Sequence, residues 1–237
     1  MIPKKIHYCW FGKGKMPESA VRCIESWHKY LPDYELKEWN EDNFDLDKYP
    51  YVREAYDNRK FAFVTDVVRL YALYNEGGVY MDTDVEVLKP LDMLLKYDAV
   101  SGFESGTQIP TGLMASRAGL DIFKELLSEY DGIHFVRPDG TLDTTTNVVR
   151  ITKALSKYGF VPNNTLQTIK EFTLLPKEYL CPKSTVDGKI RLTNNSLVIH
   201  HFTASWNPKW RNVARAWILK IGGRRLKMLV KKVLLIK

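Results

Sequence analysis

Several things are scarce in this chain. Its three cysteines, Cys9, Cys23 and Cys181, are odd in number, scattered and without metal-type spacing, which leaves reduced thiols rather than a disulfide frame or thiolate metal site. No segment offers about twenty uninterrupted apolar residues. Met1-Ile2-Pro3-Lys4-Lys5 leads into no apolar signal core, so neither a membrane span nor export is expected, and the body is assigned to the cytoplasm. Without a secretory signal the acceptor patterns Asn163-Asn164-Thr165 and Asn194-Asn195-Ser196 are discounted. There is no internal repeat and no low-complexity linker. Lys13 and Lys15 lie beside glycines, but the G-x-x-x-x-G frame of a Walker loop is missing. Acids are missing altogether from Lys220 to Lys237, where seven lysines and arginines carry the whole net charge of +7 and leave the remainder neutral, 7 − 7 = 0.

What is present can bury a substantial core: 237 residues, 45% hydrophobic and 12% aromatic. The chain reads as one α/β domain over residues 1–210 and a basic tail over 211–237. Beyond Gly222-Gly223, Leu226, Leu229, Val230 and Val233 mark one helical face, while Arg224, Arg225, Lys227, Lys231 and Lys232 lie mostly on the other. That pattern suits an interfacial helix drawn to anionic lipid, on the inner face of a membrane. A solvated helix covering its own core is the alternative. A nucleic-acid arm would leave the apolar face without use, so no nucleic acid is expected.

The stretch Phe63 to Asp84, FVTDVVRLYALYNEGGVYMDTD, organises the rest. Thr65 is read as an N-cap, with Val67, Leu70, Tyr71 and Tyr74 on the buried face of the helix it opens. Gly77-Gly78 ends that helix, and Val79-Tyr80-Met81 forms a buried strand running out into Asp82-Thr83-Asp84. Period-two alternation puts Asp82 and Asp84 on one face, where two carboxylates repel unless a cation accompanies them. A D-x-D arises about once by chance in a chain this long. Asp45-Leu46-Asp47 is such a copy: no buried strand precedes it, and it reads as a solvated loop. The copy at Asp82 differs in context, because Asp66 and Arg69 share one helix face at i, i+3, close to the expected N-terminus where the dipole favours anions.

In chain order, Ile6 to Trp10 predicts a first strand and Phe11-Gly12-Lys13-Gly14 a turn at its carboxyl end, where ligands gather in open α/β sheets. Pro17 opens a helix with Val21, Ile24 and Trp27 inward. Tyr34 to Trp39 is a second strand, making a right-handed crossover and a parallel pair. Short helices fill Asn40 to Asp57. Val85 to Leu88, Ala99 to Phe103 and Gly112 to Ala115 are strands. Glu104 to Thr111 has the composition of an acceptor-facing loop. Asp121 to Tyr130 is helical, and Asp143-Thr144-Thr145-Thr146 caps a helix reaching Leu155. Gly159 to Leu192 reads as short extended pieces. Leu197-Val198-Ile199 is a buried strand leading to His200-His201, whose rings point to opposite faces, so at most one serves a site.

The run Asp66, Arg69, Gly77-Gly78, Tyr80 and Asp82-Thr83-Asp84, with IPKKIHYCWFG before it and HHFTASW after, resembles glycosyltransferases with a DXD sugar-binding region. That family includes yeast initiation mannosyltransferase-like proteins and bacterial capsular-polysaccharide transferases. The resemblance covers most of residues 1–210. It implies a GT-A-like, Rossmann-related mixed sheet flanked by helices, with the first strand and turn meeting the nucleotide base through Tyr8 or Trp10. It further implies a histidine completing the metal shell, with His200 favoured and His201 open, and Ser205-Trp206 reaching the diphosphate.

The reaction expected from these pieces is a metal-dependent, retaining transfer of a hexose from a nucleoside-diphosphate sugar to a glycan or lipid-linked saccharide, in surface polysaccharide synthesis. The resemblance puts a UDP-sugar first and GDP-mannose second. Carboxylate, phosphate, water and one imidazole suit Mn2+ or Mg2+ better than zinc. Asp84 is the expected direct metal ligand and Asp82 the contact to ribose hydroxyls or a metal-bound water. Arg69 holds the sugar or phosphate side, and Asp66 accepts hydrogen bonds from sugar hydroxyls. No carboxylate is singled out as a nucleophile. A metal-dependent nucleotide-sugar phosphohydrolase and a non-catalytic membrane adaptor are the alternatives.

Overall fold

The structure, a computed structural model, describes residues 1–203. Strand β1 (Lys5–Cys9) turns Ile6 and Tyr8 to one side of the sheet and His7 and Cys9 to the other, as period two requires. Helix α1 (Glu18–Tyr30) follows Pro17, and β2 (Glu35–Trp39) returns parallel to β1. The inward stripe of α1 is Ala20, Cys23 and Trp27 with Ile24 partly covered. Val21, expected inward, is 40% exposed. Trp27 sets the rotation: its buried indole donates to the Val85 carbonyl at 2.7 Å, and i, i+3, i+7 spacing from Ala20 then turns Val21 out.

A 3-10 turn at Leu46–Lys48 and α2 (Pro50–Asp57) come next. The second D-x-D is local structure: Asp45 accepts from the Asp47 amide at 2.9 Å, and Asp47 pairs with Arg53 at 2.7 Å. Helix α3 (Phe61–Asn75) begins four residues before Thr65, which corrects the expected N-cap. Phe63 and Val64 are buried, so packing draws the helix back past the capping residue, and Asp66 and Arg69 lie inside it rather than at its dipole end. Strand β3 (Gly78–Met81) pairs parallel with β1, after which β4 (Val85–Val87) leaves that sheet.

The rest of the domain adds β5 (Ala99–Gly102), β6 (Leu113–Ser116), α4 (Asp121–Ser128), α5 (Asn147–Ser156), β7 (Gln167–Ile169), β8 (Phe172–Leu175), α6 (Lys177–Leu180) and β9 (Val198–His200). The seven-stranded mixed sheet has the order β2-β1-β3-β6-β5-β8-β7, and β4 and β9 form a separate antiparallel pair. The segment 159–192, read as extended pieces, contains β8, a fully buried strand parallel to β5 inside the sheet. Tyr80 joins the aromatic cluster under α3, while Val79 and Met81 join the cluster around Trp27 on the other face. Cys9, Cys23 and Cys181 are buried and free. Among the described residues no helix is long and apolar enough to cross a membrane. The basic tail and the boundary at residue 210 lie outside the described residues.

The turn into β3 is pinned by His7. Gly77 and Gly78 have φ of +67° and +105°, and a Cβ on Gly78 would sit 2.6 Å from the Lys5 carbonyl oxygen. The His7 Nε2–H donates to the Gly77 carbonyl at 2.7 Å, and Nδ1 accepts the Trp39 indole N–H at 3.1 Å. Both bonds require the neutral ring, and burial lowers its pKa from the usual 6.5 despite the opposing pull of the Gly77 carbonyl. A histidine held neutral by folding gives stability present above the unfolded value and lost as pH falls below it. Each unit below about 6.5 then costs up to about 1.4 kcal/mol. Urea unfolding at pH 7.5 and 5.5 should show a pH-dependent stability difference that shrinks in His7→Gln; an undiminished difference contradicts this role.

Candidate active site

The acidic turn is built from both sides of the sheet's edge. Tyr80 and Asp82 share a strand face, and the Tyr80 hydroxyl donates to Asp82 Oδ1 at 2.8 Å. Asp82 N–H donates to the Gly112 carbonyl at 2.8 Å, and its own carbonyl accepts Val85 N–H at 2.9 Å, closing a tight turn. The β4–β9 register sets Val85 opposite His200, which carries the imidazole across more than a hundred residues to the turn. His200 Nε2 lies 3.2 Å from Asp84 Oδ1 and 4.0 Å from Asp82 Oδ2. Asp84 Oδ2 accepts both Thr203 N–H at 2.8 Å and the Thr203 hydroxyl at 2.9 Å.

Each carboxylate therefore has one oxygen tethered by protein donors and the other turned towards the imidazole. Asp82, Asp84 and His200 each offer a ligand atom, all within 4.8 Å of one another. Two carboxylates and one imidazole have the chemistry to hold a hard divalent cation. Burial by itself would raise Asp84, but His200 and the two Thr203 donors outweigh it and hold the carboxyl well below the usual range. Burial would lower His200, and Asp84 outweighs that to raise it well above its ordinary value. Among the described residues His200 Nδ1 is buried without a partner at hydrogen-bond geometry. The ring stacks on Phe202, centroids 4.0 Å apart. His201 turns away to Glu86, with Nε2 and a carboxylate oxygen 2.8 Å apart.

Arg69, expected to hold the donor, has its guanidinium engaged within the protein. It is 5% exposed, its Nη1 donates to the Thr111 carbonyl at 2.6 Å, and Nη2 lies 3.2 Å from Asp66 and 3.3 Å from Asp82. The guanidinium also covers the Tyr80 ring at 4.6 Å. Asp66 is buried as well, and burial pushes it up to about 6 against the pull of Arg69 and of a backbone N–H. That N–H belongs to Asn147, the first residue of α5, at 3.0 Å. The hydroxyls of Thr144 to Thr146 were expected to cap α5, yet Thr146 makes no side-chain cap. Asp66 does so from α3, and Asp143 instead takes Arg150 at 2.9 Å and the Thr145 amide at 3.1 Å.

Trp10, at the carboxyl end of β1, donates its indole N–H to the Gly14 carbonyl at 2.6 Å and folds the following turn back on itself. Tyr8 packs edge-on against Trp27, centroids 5.5 Å apart. Ser205 and Trp206 lie outside the described residues. Within the loop read as acceptor-facing, Ile109 and Thr111 are buried. Four supporting residues escaped the sequence reading: Tyr80 as the tether of Asp82, Thr203 as that of Asp84, and Thr111 and Gly112 through their carbonyls. Only Tyr80 carried a signal, being two residues before Asp82 on the same strand face.

The open, mixed α/β sheet with an acidic turn at the end of an inner strand is a fold of the GT-A type. The solved PaToxG glycosyltransferase shares that fold, with a TM-score of 0.50 and 18% identity over 66% of this chain and 69% of its own. Residues 17–101 match the family described as glycosyltransferase sugar-binding region containing DXD motif, a span that includes the acidic turn. An inositol phosphoceramide mannosyltransferase of Schizosaccharomyces pombe is 34% identical over 50% of this chain and 34% of its own length. A mannosyl phosphorylinositol ceramide synthase of Saccharomyces cerevisiae is 28% identical over 49% of this chain and 32% of its own. The chain spans about a third of the length of these relatives.

Proposed function

We propose that the protein is a metal-dependent, retaining glycosyltransferase that moves a hexose from a nucleoside-diphosphate sugar to a glycan or lipid-linked acceptor. The observation that carries this is the convergence of Asp82 Oδ2, Asp84 Oδ1 and His200 Nε2 while the other carboxylate oxygens are tethered by Tyr80, Arg69 and Thr203. A bound Mn2+ or Mg2+ would supply Lewis-acid stabilisation of the departing nucleoside diphosphate. Asp84 and His200 are the proposed direct ligands, with Asp82 turned to the cation or its water. Arg69 holds Asp82 in place and Asp66 fixes α5. Tyr8 or Trp10 meets the base, and Ser205 and Trp206 reach the diphosphate. The mannosyl transfer named for both relatives moves GDP-mannose ahead of a UDP-hexose as donor. A phosphoinositol-bearing lipid becomes the acceptor class to try first, and the basic, amphipathic sequence of residues 224–233 suits an anionic membrane.

The test is a product assay with GDP-mannose or UDP-glucose, Mn2+, and vesicles with or without phosphoinositol lipid. The reading expects hexose on the lipid, lost on chelation. Full-rate release of free hexose with no acceptor would mark a phosphohydrolase instead. No turnover and no Mn2+ binding would favour a membrane adaptor.

A further inference from the structure

We infer that Gly112 is a positioning residue for the metal-ligating imidazole: its missing side chain is the space that lets the His200 ring stand against the acidic turn. A Cβ built on Gly112 would lie 2.5 Å from His200 Cε1, 2.7 Å from Nδ1 and 3.1 Å from Nε2. Two contacts under 3 Å and a third at 3.1 Å, all to one ring, cannot coexist with it. Unlike Gly77 and Gly78, Gly112 does not have a positive φ, so its backbone is open to any residue. The demand for glycine is spatial, and the three nearest atoms all belong to His200.

The ring has little room to yield. Phe202 stacks on it, Nε2 is held at 3.2 Å by Asp84, and the side chain is 13% exposed. The Gly112 backbone is fixed as well. Its carbonyl accepts Asp82 N–H at 2.8 Å, and the neighbouring Thr111 carbonyl accepts Arg69 at 2.6 Å. The hydroxyl of the buried Ser101 lies 3.0 Å from the Pro110 carbonyl and 2.8 Å from that of Leu113, bracing the segment from β5. One short stretch of backbone thus sets the positions of Arg69, Asp82 and His200 together. Any side chain at 112 would separate His200 from the two carboxylates while leaving their own tethers in place.

This inference rests on the metal reading above, and the experiment separates the two. Mn2+ binding to the full chain is followed by electron paramagnetic resonance, with UDP or GDP present, in wild type, Gly112→Ala, His200→Ala and the double variant, alongside thermal unfolding. Wild type should bind Mn2+, and each single change should weaken it at least tenfold. The double variant should bind no more weakly than His200→Ala alone, because the atom that the new methyl meets is gone. Should Gly112→Ala be poorly folded, the clash predicts recovery of its unfolding temperature towards that of His200→Ala when the ring is removed. Wild-type affinity in Gly112→Ala would overturn the inference, as would a penalty that persists in the His200→Ala background. If wild type and His200→Ala are alike in failing to take up Mn2+, it is the metal reading that fails.

Discussion

Asp84→Asn should abolish metal-dependent transfer, lowering turnover at saturating Mn2+ by at least about a thousandfold, as expected when several kcal/mol of Lewis-acid stabilisation are lost. The geometry makes the isosteric change harmful in either orientation. Asp84 Oδ2 accepts two donors from Thr203, and Oδ1 faces His200. An asparagine has one acceptor oxygen. If that oxygen keeps the Thr203 contacts, the NH2 group points at the proposed cation; if the amide flips, NH2 meets the Thr203 N–H. The check is the rate of product formation by the variant with Mn2+ against wild type with excess chelator. The two should coincide, and retention of more than a tenth of wild-type activity would remove Asp84 from the metal shell.

Arg69→Met should act first on stability. Methionine fills similar volume but leaves Asp66 and Asp82 without their shared cation, and the Thr111 carbonyl without its donor. Breaking a buried ion pair on one side costs about 3–5 kcal/mol. In a domain of this size that is a fall in unfolding temperature of roughly 6–20 °C. Calorimetric scanning measures it. Since Asp66 also accepts the first amide of α5, hydrogen exchange should rise around Asn147 as well. An unchanged melting temperature together with lost donor affinity would return Arg69 to the role of a donor ligand.

The sequence carried strands β1 to β6, β9 and the acidic turn because these rest on local signals. The double glycine has the positive φ that ends α3, and Val79-Tyr80-Met81 alternates between two cores as a buried strand should. The first D-x-D copy, read as a solvated loop, is a capped 3-10 turn whose Leu46 is buried. What the sequence missed depends on distant pairings. Asp66 looked like a helix-end residue because Thr65 is a good cap, yet α3 extends back to Phe61 under the pull of buried aromatics. Strand β8 was overlooked because Phe172-Thr173-Leu174-Leu175 is short and sits among turns. Neither the β4–β9 register nor the space at Gly112 leaves any trace in local periodicity, and both are set by which strand lies beside which.

In the proposed reaction one cation is gripped by the acidic turn and the imidazole brought to it by β9. Anomalous diffraction at the manganese edge, from crystals grown with Mn2+ and a nucleoside diphosphate, tests it most directly. A single strong peak is expected, bounded by Asp84 Oδ1, His200 and the Asp82 side, with the diphosphate against it. A peak held by other side chains, or a nucleotide bound without metal at this turn, would contradict it.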